Sequence, residues 1–272
     1  MDISIRRFGP PDRQVLGLLQ RPLPGKAQRA AFLMCKPFGQ EAVRTAPIYR
    51  AMSDRLAREG CTVLTIDLHG CGDSPGEADD QSLAQWAEDV RAAHHQLRLD
   101  APGVLLHWFG MGLGASIAAG AALSCEPAPD CLVLWEPVLD GPSYLRRLIT
   151  THRAELAREM QRGWRDLVTR GAEPEPVLPG SVLGFTVGRR LREELQQLRG
   201  LPLSAIAERR TRIVLALAEP QLHTAAISGI PGLTLHAIES AANWMSIEAR
   251  GTAIVPQEIA NALLATFRSE SA

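Results

Sequence analysis

Charge of one sign, a paired-cysteine motif and an apolar leader are all missing from this sequence, and each absence removes a class of function. The 29 Lys and Arg offset 30 Asp and Glu to a net charge of −1, which offers no field for nucleic acid or an anionic membrane. Cys35, Cys61, Cys71, Cys125 and Cys131 are odd in number and contain no C-x-x-C pair, so neither a disulfide framework nor a zinc site is expected. They read as reduced core thiols, and no metal or other cofactor is called for. The N-terminal MDISIRRFGPPDRQ has no apolar core of signal-peptide type, so a cytoplasmic location is expected. What remains is ordinary: 46% hydrophobic and 22% charged residues describe a globular chain.

The stretch Gly103 to Leu123, GVLLHWFGMGLGASIAAGAAL, organises the rest. It has no Asp, Glu, Lys or Arg. VLLHWF reads as a buried strand and LGASIAAGAAL as a buried helix, joined by Gly110-Met111-Gly112-Leu113-Gly114, where glycines permit crowding or positive φ. Four readings compete. As a small-x-nucleophile-x-small turn it is the elbow of an α/β-hydrolase, with Gly112 where the nucleophile stands. As G-x-G-x-x-A over Gly110, Gly112 and Ala115, with Glu136 closing the next apolar run, it imitates a dinucleotide fingerprint, although that fingerprint belongs on a first strand. As one apolar 21-mer it is long enough to span a bilayer, but its glycines divide it and strand–helix units flank it, so no transmembrane segment is expected. The fourth reading is a strand-turn-helix without a site.

Around this hub the chain alternates. Ile3–Phe8 and Val15–Arg21 read as a hairpin, Ala31–Lys36 as a buried strand, Phe38 to Val43 as a loop, and Pro47 to Arg58 as a helix. Cys61–Leu68 is a strand with a Gly-rich exit in which Asp67, Asp73 and Ser74 are expected to organise the turn. Ser82-x-x-Gln85 has the form of a capping box, and Cys131–Trp135 is a further strand. The alternation breaks after Gly141. Tyr144, Leu145, Leu148, Leu156, Met160, Trp164 and Leu167 form one apolar stripe of an amphipathic helix. Residues 143–205 are therefore expected to be a helical cap, between core segments 1–142 and 206–272. Arg212–Ala218, Leu233–Ile238 and a helix from Pro256 to Phe267 complete an α/β architecture, a mostly parallel sheet with helices on both faces.

CKPFGQE, IDLHGCGDSPG, FGMGLGAS and LWEPVLDGPSYL together resemble the α/β-hydrolase family and, more narrowly, the exosortase A system-associated hydrolases of the type called hydrolase 2. The similarity runs from about Arg29 to Phe267. It implies the α/β-hydrolase fold, with an eight-stranded sheet and a helical cap, in bacteria that make exopolysaccharide and sort membrane-anchored proteins. An envelope-system protein is the partner this implies.

The chemistry does not carry over with the fold. Gly112 has no side chain, and Ser116 falls a turn into the predicted helix, where it reads as a packing serine. The loop that should offer the base, Glu239 to Met245, contains no His and has Trp244 instead. Glu219 stands at the usual acid position without a base to orient. His69 and His223 are the histidines placed to face a pocket. An oxyanion-type donor pair maps to the amides of Leu113 and of Phe38 or Gly39. The candidate pocket is therefore Phe38, Gly39, Met111, Gly112, Leu113, Glu219 and Trp244, with no catalytic residue. The expected function is a pseudo-hydrolase that binds a small acyl or carbonyl ligand. An ester or acyl hydrolase with a displaced nucleophile or base is the alternative, and dinucleotide binding comes third.

Overall fold

The computed structural model describes residues 2–159, 180–218, 229–238, 261 and 263–265. The strands, in chain order, are β1 (Ile3–Phe8), β2 (Val15–Gln20), β3 (Ala30–Cys35), β4 (Cys61–Asp67), β5 (Leu105–Met111), β6 (Cys131–Trp135), β7 (Ser181–Val182), β8 (Phe185–Thr186), β9 (Arg212–Ala218) and β10 (Leu233–Ile238). Eight of them form one sheet in the order β1-β2-β4-β3-β5-β6-β9-β10, while β7 and β8 pair separately. Only β2 runs against the others, because it is antiparallel to both β1 and β4 and every later pair is parallel. The mostly parallel eight-stranded sheet read from the sequence is what forms.

Alternation along the strands splits the core into two layers. Ala31, Leu33 and Cys35 of β3 join one apolar cluster, and Ala30, Phe32 and Met34 join the other, as successive side chains point to opposite faces. Helix α1 (Gln40–Arg58) covers the second face through Ile48, Met52 and Leu56. Helices α2 (Leu83–Asp100) and α3 (Gly112–Ala122) cover the first through Trp86, Val90, Ile117 and Ala121. All of β3 and β6 is buried, which is why both read as continuous apolar runs rather than alternating ones.

Helix α1 corrects one expectation. It begins at Gln40, behind Gly39 with φ 62°, and runs uninterrupted through Pro47. The apolar spacing of Ile48, Met52 and Leu56 places a helix from about Pro47, several residues after its true start. The segment taken as a loop is thus helical from Gln40 onward, and Glu41 lies in the first turn.

Between β6 and β9 the chain runs through α4 (Gly141–Glu159), the β7–β8 hairpin, α5 (Arg189–Gln197) and α6 (Leu203–Glu208). Tyr144, Leu145 and Leu148 of the stripe are buried and Leu156 is half-buried, and Ile149 beside the stripe is buried as well. Met160, Trp164 and Leu167, predicted to extend it, lie outside the described residues. One carboxylate fastens this region to the core: Glu194 of α5 accepts the Ser82 hydroxyl at 2.8 Å and the Leu83 backbone N–H. The capping box expected at α2 is thereby modified. Ser82 Oγ accepts from Gln85 N at 3.3 Å, but Glu194, rather than the Gln85 side chain, supplies the second polar partner.

Candidate functional site

Three hub glycines are fixed by different constraints. A Cβ on Gly114 would lie 2.3 Å from the Lys36 carbonyl, and one on Gly110 would lie 2.6 Å from the Ala115 Cα, so backbone crowding excludes side chains there. Gly112 is different: its φ is 53°, in the left-handed region. It turns β5 sharply into α3, which is the geometry of an elbow.

The space above this elbow is not empty. A Cβ built on Gly112 would lie 3.1 Å from Glu41 Oε2 and 3.4 Å from Pro37 Cβ. Glu41 is 6% exposed. Its Oε1 accepts from Arg147 Nη2 of α4 at 3.2 Å, while Oε2 is buried with no hydrogen-bond partner among the described residues. Burial pushes the Glu41 carboxyl above its ordinary pKa, and Arg147 opposes the shift only in part. The charged form of a buried carboxylate is expensive, so Glu41 is a group whose protonation the site controls.

Tyr144 joins it. Its hydroxyl is buried without a partner among the described residues, Arg147 stands over its ring at 5.4 Å, and burial with the nearby Glu41 charge raises its pKa well above the ordinary value. Two orphaned oxygens in electrostatic contact are a recognisable signal, since buried polar atoms are almost always paired with protein or water. Beside Glu41 lies a narrow recess of about 10 Å³, room for about one water molecule, lined by Phe38, Gly39, Gln40, Glu41, Leu148, Val182, Leu183 and Phe185. Its far wall is the β7–β8 hairpin, whose turn is held by the Leu183 N–H donating to His152 Nδ1 at 3.2 Å.

The residues selected from the sequence divide among several places. Gly112 and Leu113 open α3, and Phe38 and Gly39 come to the same end of the sheet and line the recess. Met111 does not line it: it packs into the α1-side core, 2% exposed, because it is the last inward-alternating position of β5. Glu219 and Trp244 lie outside the described residues, as does His223. Ser116 Oγ donates to the Val138 carbonyl at 2.9 Å, so it joins α3 to the segment after β6, as a packing serine would. His69 does not line the recess. Its backbone N–H donates to Asp89 Oδ2 at 3.0 Å, and its carbonyl accepts from Trp86 Nε1 at 2.9 Å.

Glu41 was missed because α1 was started too late. An acidic residue two positions after a glycine that ends a strand exit fits the first turn of a helix, where the macrodipole favours it. Arg147 carried no comparable signal, since an Arg on a charged helix face is ordinarily solvated. Among the described residues no cluster of His, Cys, Asp and Glu is placed to hold a metal ion, and no helix is long and apolar enough to cross a membrane.

Comparison with known proteins agrees with this architecture. The family profile described as Hydrolase_4, serine aminopeptidase S33, matches residues 28–220. A curated relative, an uncharacterized protein of Mycobacterium tuberculosis strain H37Rv, is 34% identical over 110 residues, 36% of this chain and 37% of that protein. The match thus spans well under half of the relative's length. A carboxylesterase structure from Nitrososphaera gargenis superposes with a TM-score of 0.65 at 15% identity over 97% of this chain and 100% of that one. Est1E from Butyrivibrio proteoclasticus, with ferulic acid bound, gives 0.63 at 12% identity over 97% and 99%. Proline iminopeptidase of Mycobacterium smegmatis gives 0.60 at 14% identity over 98% of each chain. Sheet order, elbow and family match agree, and the chain belongs to the Hydrolase_4 (serine aminopeptidase S33) family of α/β-hydrolases.

Proposed function

We propose that this member of the family binds a ligand without serine-hydrolase turnover. One observation carries the reading: the elbow position is Gly112 at φ 53°, and the Glu41 carboxylate occupies the space that a nucleophilic side chain would enter. Loss of the nucleophile in an enzyme of this type costs on the order of a millionfold in turnover, while binding and backbone donors retain a smaller share of the catalysis. The ligand class is acyl or carboxyl, because the amides at the start of α3 and of the turn before α1 are suited to such oxygens. Est1E, of the same fold, is described with a carboxylic acid bound. On this reading residues 143–205 are a cap over the recess, and the protein acts in the cytoplasm. The resemblance to exosortase-associated hydrolases makes an envelope polysaccharide or sorting protein the partner to test.

The test is reaction of the protein with a fluorophosphonate probe and with a short-chain nitrophenyl ester. Neither labelling nor turnover above the buffer rate is expected. Stoichiometric labelling of one serine would remove the reading.

A second reading has its own support in the unpartnered Glu41 Oε2. A carboxylate there could act as general base on a water molecule, which would make the chain an acyl hydrolase with a displaced base. Ester turnover that disappears in Glu41→Gln, without covalent labelling, is the signature of that alternative.

A further inference from the structure

We propose that Glu41, Tyr144 and Arg147 form a binding site for a small carboxylate, which enters together with one proton taken up by Glu41. The inference rests on the ligand-binding reading above and adds the ligand's charge and its linkage to pH.

Three facts point to an anion rather than a neutral or cationic ligand. Arg147 reaches Glu41 from α4, and its side chain is 52% exposed. Tyr144 supplies a buried hydroxyl with no partner among the described residues. Glu41 sits against the first turn of α3, where backbone N–H groups lack partners within the helix and the macrodipole favours negative charge. Arg147 and the first amides of α3 are donors, and the Tyr144 hydroxyl is able to donate.

Glu41 itself supplies the single negative charge, and it is the costly member. A carboxylate removed from water repays its desolvation only with good geometry and further hydrogen bonds, whereas Glu41 has one 3.2 Å contact and an orphaned oxygen. Protonating Glu41 relieves its burial but leaves Arg147 without a countercharge. A ligand carboxylate restores that charge, and it accepts from protonated Glu41, from Arg147 and from the donors nearby. The ligand and the proton therefore stabilise each other. Phe38, Leu148, Val182 and Phe185 line the narrow recess beside Glu41, and they part to admit the short acyl chain.

The titratable groups that face Glu41 are few. Helix α4 contributes Tyr144 and Arg147, α1 contributes Tyr49, and β3 contributes Cys35, which accepts the Tyr49 hydroxyl on its carbonyl at 2.7 Å. Burial raises the Tyr49 phenol well above its ordinary pKa and pushes the Cys35 thiol up to about 12. Neither titrates near neutral pH. Lys36 is engaged by Asp67, and neither α3 nor the β7–β8 hairpin carries an ionisable side chain. His152, which accepts the Leu183 N–H at the recess wall and whose pKa burial lowers, is the other titratable group here, so the Glu41→Gln variant is what separates the Glu41 contribution.

The experiment is calorimetric titration of the full chain with sodium butyrate between pH 5.5 and 8.5, in buffers of different ionisation enthalpy, with butyramide as the neutral control. Expected are uptake of about one proton per butyrate and an affinity that falls roughly tenfold per pH unit once Glu41 is ionised. Glu41→Gln should bind butyrate with a nearly flat pH profile, and Arg147→Gln should bind it about tenfold or more weakly. If Glu41→Gln does not fold, buffer-dependent proton uptake by the wild type decides alone. Absence of butyrate binding, a pH-independent wild-type affinity, a slope retained in Glu41→Gln, or equal binding of butyramide would each overturn the proposal. Fluorophosphonate labelling reports separately on the absence of serine chemistry, so the two ideas fail in distinguishable ways.

Discussion

Glu41 Oε2 stands 3.1 Å from the position a Cβ would take on Gly112, so the first turn of α1 has placed a carboxylate against the elbow position. The elbow keeps its turn and its helix N-terminus, but its side-chain space belongs to another part of the chain. A substitution at Gly112 therefore meets two obstacles together, backbone strain at φ 53° and crowding against Glu41.

Gly112→Ser is expected to destabilise the protein by about 1–3 kcal/mol from the left-handed backbone alone, and to acquire no ester turnover. An unactivated hydroxyl is a poor nucleophile, and the carboxyl beside it is shifted toward its protonated form. Urea denaturation and fluorophosphonate labelling check the two halves. Unchanged stability together with labelling at residue 112 would show that the turn tolerates and activates a serine.

The Glu41 carboxyl is raised above its ordinary value by burial, and the sign of its effect on stability follows from that. The folded state holds the proton more tightly than the unfolded chain, so this contribution is complete below the unfolded pKa and is lost as pH rises through the folded one. Glu41→Gln cannot ionise and escapes that loss. Its melting temperature relative to wild type should therefore climb between pH 5 and pH 8, as read by thermal scans across that range. A constant difference would mean that Glu41 is not shifted.

The legible parts of this chain were those in which one physical requirement acts alone. The sheet was readable because strands such as β3 and β6, covered on both faces, have no choice but to be apolar throughout. The elbow was readable because only glycine satisfies crowding at Gly110 and Gly114 and positive φ at Gly112. The Glu41–Arg147 contact joins residues 106 positions apart, and no local pattern encodes such a meeting. Met111, chosen with Gly112 for its place in the elbow, stands at the start of α3, and alternation on β5 turns its side chain into the core.

The turn after β4 shows the same division between residue type and role. Ser74 Oγ donates to the Asp67 carbonyl at 2.6 Å and accepts from the Leu16 N–H at 2.8 Å, so it ties the turn to β2. Asp73 contributes its backbone N–H to Asp67 Oδ2 at 3.2 Å, a bond that alanine keeps. Ser74→Ala should cost about 1–3 kcal/mol through the unsatisfied groups it leaves, and Asp73→Ala should fall within about 0.5 kcal/mol of wild type. Paired denaturation curves distinguish them, and a larger loss at Asp73 would reverse the assignment.

Glu194 serves the insertion in a comparable way. Its carboxylate receives Ser82 Oγ and the Leu83 N–H at the start of α2, which combines helix capping with a tertiary tie between α5 and the core. Loss of a cap costs about 0.5–2 kcal/mol, so Glu194→Ala should lose at least that much. It should also increase proteolysis between residues 180 and 200 under native conditions. A variant with wild-type protease resistance would mean that apolar packing of Leu191 and Leu195 holds α5 in place without the tie.

The buried histidines give the protein a measurable acid sensitivity. His94 accepts the Trp108 indole N–H on Nδ1 at 3.1 Å, and burial, aided by Arg98 and His95, lowers its pKa to about 4. His107 stacks on Phe32 at 4.9 Å, and burial together with Arg212 lowers it to about 4 as well. A histidine whose folded pKa lies below its unfolded value stabilises the fold above the unfolded pKa, and that stability is lost as pH falls toward the folded one. The window is therefore from about 6.5 down to about 4. A shift of this size corresponds to about 3 kcal/mol per residue. Glu41 and Asp89, both raised by burial, act in the opposite sense, so the clean measurement is a difference between variants. His107→Leu keeps an apolar side chain against Phe32 and removes the titration. Its urea midpoint should gain on that of the wild type as pH is lowered from 7.5 to 4.5. A gap that stays fixed across this range would mean that His107 does not resist protonation.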